Sequence, residues 1–438
     1  MGNVNSALAR EIRKSAKKED EDLDLSDRQI EEIPPVIGKA RALVNLNLSR
    51  NQLTSIPLEI RAELPDSMNQ LKSLRILNLS KNIFKTIPDS IYGLSELQIL
   101  DMSNNQLRNI LDDVASLVGL EKFILFENRI VSISKEIGNL QKLRILDLND
   151  NNVQRLPEEL CDLEHLQQLT LRDNKNLSSL PDAAKMLKSI QHLDLSNTSI
   201  NEMPSCLIYW EKLEILRMDD NPQLGILDEQ DLGALKTLKT LSLMDCSLSD
   251  LPDTLVGSGK TLEHLALRKN KLKVQSFPMM DFGRQMIALK YLNLGDNQFD
   301  AIPDAVFELA QLEELDMSQN IISVIPGDIA RLGNLRRLVL NHNQLSSLPA
   351  ALGECSNLTS FEARNNIIGA LPKELANASE LVRLDFTNNQ LSDLPTDLHR
   401  LANLKHFLLS ENTIVDPPPR VISLGADAIR KHLKARSG

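Results

Sequence analysis

Aromatic residues are scarce in this chain: one Trp, three Tyr and ten Phe, together 3% of 438 residues. Conventional globular cores draw much of their buried area from large rings, so this core must be built from one recurring aliphatic shape. Cysteine is rare too. Cys161, Cys206, Cys246 and Cys355 form no CxxC pair and no cluster at either end. That spacing excludes a zinc site and a disulfide framework, and predicts four small apolar side chains in a reducing compartment. No stretch of about 18 uninterrupted apolar residues occurs, so no membrane-spanning helix is expected. Charge begins at Arg10 with no apolar run of about 7–15 residues before it, so a secretory signal is not expected and the predicted location is cytoplasmic. The net charge of −11 argues against a nucleic-acid partner, because phosphate binding needs clustered Lys and Arg.

Catalytic patterns are missing as well. The sequence has no Gly-rich phosphate loop, no HExxH and no GxSxG. Its seven histidines (165, 192, 264, 342, 399, 406 and 432) are scattered, and no two lie at metal-ligand spacing. A non-enzyme without cofactor or metal is expected.

What the sequence does contain is one unit, repeated. The stretches LRILNLSKNIFKTIP (74–88), LRILDLNDNNVQRLP (143–157), LRRLVLNHNQLSSLP (335–349) and LVRLDFTNNQLSDLP (381–395) share the pattern LxxLxLxxNxLxxLP. Aligned on the Asn position, 17 units run from Arg28 to Asn412, with Thr198 and Cys246 replacing Asn at two interior units. Of the 16 steps between units, 11 are 23 residues long. This is the signature of a leucine-rich repeat. The two Leu of LxL point to one side of a short strand and the residue between them to the other. No unit can bury its Leu side alone, so repeats must stack. The Asn amide can donate and accept, which suits it to backbone groups in the turn. The Pro fixes φ and ends the ladder. The expected fold class is an α/β solenoid: a horseshoe of about 17 repeats with a concave parallel β-sheet and capping helices.

Two steps are unusually long. The 31 residues from Asn51 to Asn82 contain LEIRAELPDSM (58–68), and the 27 from Asn270 to Asn297 contain KVQSFPMMDFGRQ (273–285). Both are expected to emerge as loops, and FPMMDF is apolar enough for a partner contact. Three domains are expected: a basic amphipathic capping helix at 1–22, the solenoid at 23–416 and a helical cap at 417–438. In the first, Val4, Leu8, Ile12 and Ala16 make one apolar stripe. In the last, Val421, Ile422, Leu424, Ile429 and Leu433 are expected to cover the final repeat.

The LxxLPxxIxxLxxL spacing resembles the intracellular Ras-group leucine-rich-repeat family, the group of the Ras-pathway scaffold Shoc2 and the Scribble-type polarity proteins. The ending PPPRVISLGADAIRKHL is similar to that group's PPxxIxxxGxxAIxxYL cap, with His432 at the aromatic position. The opening MGNVNSALAREIRKSAKK with LDLSDRQIEEIP resembles leucine-rich-repeat-containing protein fifty-seven. The resemblance implies a signalling scaffold, or a regulatory subunit that holds a small GTPase or phosphatase.

The side of the sheet turned away from the Leu row is read as free to vary, and so as the place to look for function. Most of its strand-end residues are polar, with Asp101, Asp147, Asp194, Asp316 and Asp385 read as a solvated surface. LEKFILFEN stands out. It places Ile124 and Phe126 outward, with Ile99, Ile145 and Asp147 on neighbouring strands, and this is the predicted partner patch. Arg337, Arg364, Arg383 and His406 make the same face partly basic further along. Finally, MGNVNS fits M-G-x-x-x-[ST], which makes Gly2 a candidate for N-myristoylation. Arg10, Arg13, Lys14, Lys17 and Lys18 recur at i, i+3, i+4, i+7 and i+8, so a helix gathers them on one face. Acyl chain and basic face together predict peripheral attachment to an anionic membrane surface.

Overall fold

Each repeat lays down three extended residues whose middle side chain is buried, as in Lys122–Ile124, where Phe123 is fully enclosed. Side chains alternate across a strand, so the first and third residues face outward. The computed structural model describes residues 2–54, 71–227, 232–277 and 281–437, with backbone alone at 2–5. The long insertion predicted at 58–68 lies outside the described residues, as do Pro278 to Met280 of the second insertion. Phe277 and Phe282, which flank the latter, are both buried and edge-on to each other at 4.7 Å. They belong to the core, not to an exposed contact.

The chain forms two compact units, one of Met1–Ile200 with Pro204–Leu216, the other of Asn201–Met203 with Arg217–Gly438. In the first, parallel strands run in step from Asp22–Asp24 to His192–Asp194, each buried middle residue, Leu or Phe123, level with the next. In the second they run from Thr240–Ser242 to His406–Leu408. Within each unit the fold is thus the expected α/β solenoid. A fully buried aliphatic side chain contributes about 2 kcal/mol relative to an exposed one, and the unbroken Leu rows supply that repeatedly where rings are few.

After each strand the backbone turns through a left-handed residue. Arg50, Lys81, Glu127, Asp150 and Asp173 have φ between 53° and 60°, a region that costs an L side chain about 1 kcal/mol or more. The next residue, the ladder Asn, holds this turn. Asn151 Nδ2 donates to the carbonyls of Leu125 (3.0 Å), Leu148 (3.1 Å) and Asn149 (3.0 Å), while its Oδ1 accepts from the Ile130 amide at 2.9 Å. One side chain therefore ties two repeats together. The substitutes keep part of this: Thr198 Oγ1 reaches Leu195 O at 2.9 Å, and Cys246 Sγ reaches Met218 O at 3.1 Å. Pro then starts a short 3-10 turn, as at Pro157 and Pro349, by lending its carbonyl to the amide three residues on. Ser134 stands in that place once, and its hydroxyl accepts from the Glu136 amide at 3.1 Å.

Helices close both ends. Leu8 and Ile12 of Gly2–Lys18 are buried beside the turn Pro35–Lys39, and Glu11 pairs with Arg28 at 2.5 Å. At the other end Ala426, Ile429 and Leu433 of the helix Ala426–Arg436 are buried. Leu424, expected in this cover, is 74% exposed: it falls between two helices, where its side chain has no repeat to lie on. Polar contacts complete the cap. Asp416 accepts from His432 at 2.7 Å and pairs with Arg436 at 2.9 Å, and Arg436 also reaches Asp393 at 3.1 Å. All four cysteines are unpaired and buried. Burial pushes the Cys161 and Cys246 thiols up to about 12 and that of Cys355 to about 11, so these three are not nucleophiles at neutral pH.

Candidate functional site

Outward strand-end residues are not all free of structural duty. Asp101 Oδ1 accepts from the Ser103 amide (2.9 Å) and hydroxyl (2.7 Å). The same cap recurs from Asn78 to Ser80, Asp194 to Ser196, Asp316 to Ser318 and Asp385 to Thr387. These carboxylates and amides are local turn caps, which corrects the reading that the fold needs none of that row. Where the strand end is not Asx, a neighbour can take over. Asn149 caps the Arg172 amide, Asp219 that of Met244 and Asn341 that of Arg364, each at 2.8 Å.

At Ile124 the cap is given up. No side chain among the described residues accepts from the Phe126 amide, and Ile124 and Phe126 both stand half-buried on the outer side of the sheet. Register sets their neighbours. Ile124 is level with Asp101 on one side and Asp147 on the other. Ile99 and Ile145, also half-buried, are level with Lys122, which lies between them. The patch is therefore a short apolar step, Ile124 to Phe126, with charge to either side. Asp147 has local partners: its Oδ1 accepts from the Asn149 amide at 3.1 Å and the Thr170 hydroxyl at 2.8 Å.

In the second unit the three predicted arginines fall on two rows. Arg337 and Arg383 open their strands and are both level with Ser360. They converge on Glu362, at 3.0 and 3.9 Å, and Arg383 also pairs with Asp385 at 3.0 Å. This part of the face is accordingly a network of paired charge. Arg364 lies two residues beyond its strand, exposed. His406 is level with Arg383.

On the N-terminal helix, Arg10, Arg13, Lys14, Lys17 and Lys18 are all exposed, opposite buried Leu8 and Ile12. Four carboxylates, Glu19 to Asp22, follow directly. Gly2 is the first helical residue, and side-chain surroundings at 2–5 lie outside the described residues. Among the described residues no His, Cys, Asp and Glu groups gather as a metal site, and no helix is long and apolar enough to cross a membrane.

A solved leucine-rich-repeat protein of Leptospira interrogans superimposes with a TM-score of 0.76 at 31% identity, covering 95% of this chain and 96% of that one. The chain is a leucine-rich-repeat protein. Models of that family match at residues 287–345 (leucine rich repeat) and 58–156 (leucine-rich repeat region). The leucine-rich-repeat protein also resembles the plant peptide hormone receptor RGFR1, solved in complex with RGF2, at 26% identity and a TM-score of 0.67 over 90% of this chain and 63% of the receptor. Among curated proteins, the adenylate cyclase of Schizosaccharomyces pombe matches at 34% identity over 106 residues. That is 24% of this leucine-rich-repeat protein, which spans only 6% of the cyclase's length.

Proposed function

We propose that this leucine-rich-repeat protein is a non-enzymatic scaffold that binds another protein on the outer sheet face of its first unit, around Ile124 and Phe126. One observation carries the reading. At that strand the turn-capping Asp or Asn is replaced by an apolar residue, so the side chain there does nothing for its own turn. A half-exposed aromatic beside an aliphatic residue is the composition of an interface anchor, whose truncation typically costs about 2 kcal/mol or more of binding. The plant peptide hormone receptor RGFR1, similar in fold, is itself solved in complex with RGF2. Affinity capture from native cells with quantitative mass spectrometry is the test. The double variant Ile124→Ala, Phe126→Ala should lose its specific partner roughly tenfold or more while melting like the parent, since neither side chain is fully buried. Undiminished capture would remove this face as the binding site.

A narrower version of the reading is a regulatory subunit for a small GTPase or phosphatase, favoured by the Ras-group form of the C-terminal cap, PPPRVISLGADAIRKHL. It requires that the captured partner be such an enzyme and that its rate change on binding.

Attachment to the cytoplasmic face of a membrane is part of the same proposal. Leu8 and Ile12 are held in the solenoid, so what the described part of the helix offers a membrane is its cations, to which an acyl chain on Gly2 would add. One myristoyl chain binds with an association constant of only about 10⁴ M⁻¹, and each nearby Lys or Arg adds about 1 kcal/mol at an anionic leaflet. Expressed with an N-myristoyltransferase, the protein should sediment with phosphatidylserine vesicles. Gly2→Ala, and a variant with Lys14, Lys17 and Lys18 changed to Gln, should both stay largely in the supernatant. An N-terminus without acyl mass, together with no sedimentation of the parent, would refute this part.

A further inference from the structure

Past Arg50 and Lys81 of the same turn row, charge on the first unit's sheet face is one-sided. The left-handed turn residues of three consecutive repeats are Glu127, Asp150 and Asp173. Successive strands lie about 4.8 Å apart, so these three carboxylates form a row just past Phe126, in the direction the strands run. Asp101 and Asp147 flank Ile124 on either side. From the strand Ile99–Asp101 to Gln168–Thr170, the cations on this face are Lys122, before Ile124, and Arg172, which pairs with Asp173 at 3.0 Å. Partial burial first, then the neighbouring Asp173 and Glu127, hold the Asp150 carboxyl above its usual range. The second unit differs, because its face cations Arg337 and Arg383 are met by Glu362 and Asp385.

From this asymmetry we infer that the occupant of the face is a basic protein segment. An apolar side chain of the partner seats on Ile124 and Phe126, and its Lys or Arg residues lie over Glu127, Asp150 and Asp173. The inference rests on the docking reading above and adds the partner's chemistry and direction. Lys122, on the far side of Ile124, repels the reverse placement. Complementary charge of this kind sets orientation and speeds encounter, and an apolar anchor alone would supply neither.

The test uses two labelled synthetic peptides with the same Leu-Phe core, one flanked by lysines and one by glutamates, titrated against the full chain by fluorescence anisotropy. The lysine peptide should bind at least about tenfold tighter, and less tightly as salt is raised. The variant Glu127→Gln, Asp150→Asn, Asp173→Asn should remove most of that preference. A matched variant, Asp113→Asn, Asp162→Asn, Glu164→Gln, changes net charge equally in and just after the 3-10 turns Asp112–Ser116 and Glu158–Asp162, away from the sheet face, and should keep it. Equal binding of both peptides, or equal losses in the two variants, would overturn the inference. If the Ile124→Ala, Phe126→Ala protein still loses its captured partner in that event, the docking face stands and only the partner's basic character falls. If capture is also unchanged, the docking reading itself has failed.

Discussion

Asn151→Ala should destabilise the first unit by about 3 kcal/mol, read as a lower midpoint in urea or thermal unfolding. The substitution leaves the buried Ile130 amide without its acceptor and takes one of two side-chain donors from the Leu125 and Leu148 carbonyls, which keep Asn128 and Asn174. Each buried group stripped of its partner costs about 1–3 kcal/mol, and the left-handed residue before it, Asp150, loses what holds it. Asp147→Ala is the comparison. It removes a half-buried turn cap and one hydroxyl contact, so a loss of about 1 kcal/mol is expected. If Asn151→Ala melts with the parent, the ladder does not hold the repeats together and the account of the turn is wrong.

Gly353→Ala should cost about 3 kcal/mol, although replacing Gly by Ala usually stabilises by about 0.4–1 kcal/mol where space permits. Gly353 lies in the 3-10 turn Ala350–Glu354, and a Cβ there would come within 2.0 Å of the Glu374 carbonyl oxygen in the next repeat. The atom in the way is backbone, so relief requires parting two stacked turns and the Leu rows behind them. Gly333 provides the opposite sign. A Cβ at that position meets nothing within 4 Å, so Gly333→Ala should be neutral or slightly stabilising. A chevron or melting series on the two variants separates them, and equal stability would contradict the close approach of the turns.

The repeat, its period and the buried side of each strand were legible because every unit carries the same signal, Leu at fixed offsets before an Asn. The caps were legible in part. Apolar spacing locates Ile429 and Leu433 but also nominated Leu424, whose burial depends on where the helix begins and not on hydrophobicity. The outer face was harder to read. A signal for the turn caps was present, since Asp or Asn, then Leu or Met, then Ser recurs at 24–26, 47–49, 78–80, 101–103, 194–196 and 316–318. Its meaning emerges only once the Ser amide is seen to point at the carboxylate or amide. The pairing of Arg337 and Arg383 with Glu362 depends on side chains from three adjacent strands coming together, which no single repeat displays. The acidic row of Glu127, Asp150 and Asp173 escaped for a related reason. The strand-end aspartates 101, 147, 194, 316 and 385 sit two or more repeats apart, whereas these sit one apart, at the turn position.

The central claim is that a partner protein sits against Phe126. A photoreactive phenylalanine analogue at position 126, irradiated in native cells, tests it most directly. Tyr209, half exposed in a 3-10 turn of the same unit, supplies the matched position away from the sheet face. The account predicts a discrete cross-linked adduct from 126, lost when Ile124→Ala is added, and none of the same mass from 209. The same adduct from both positions, or an adduct from 209 alone, would contradict it.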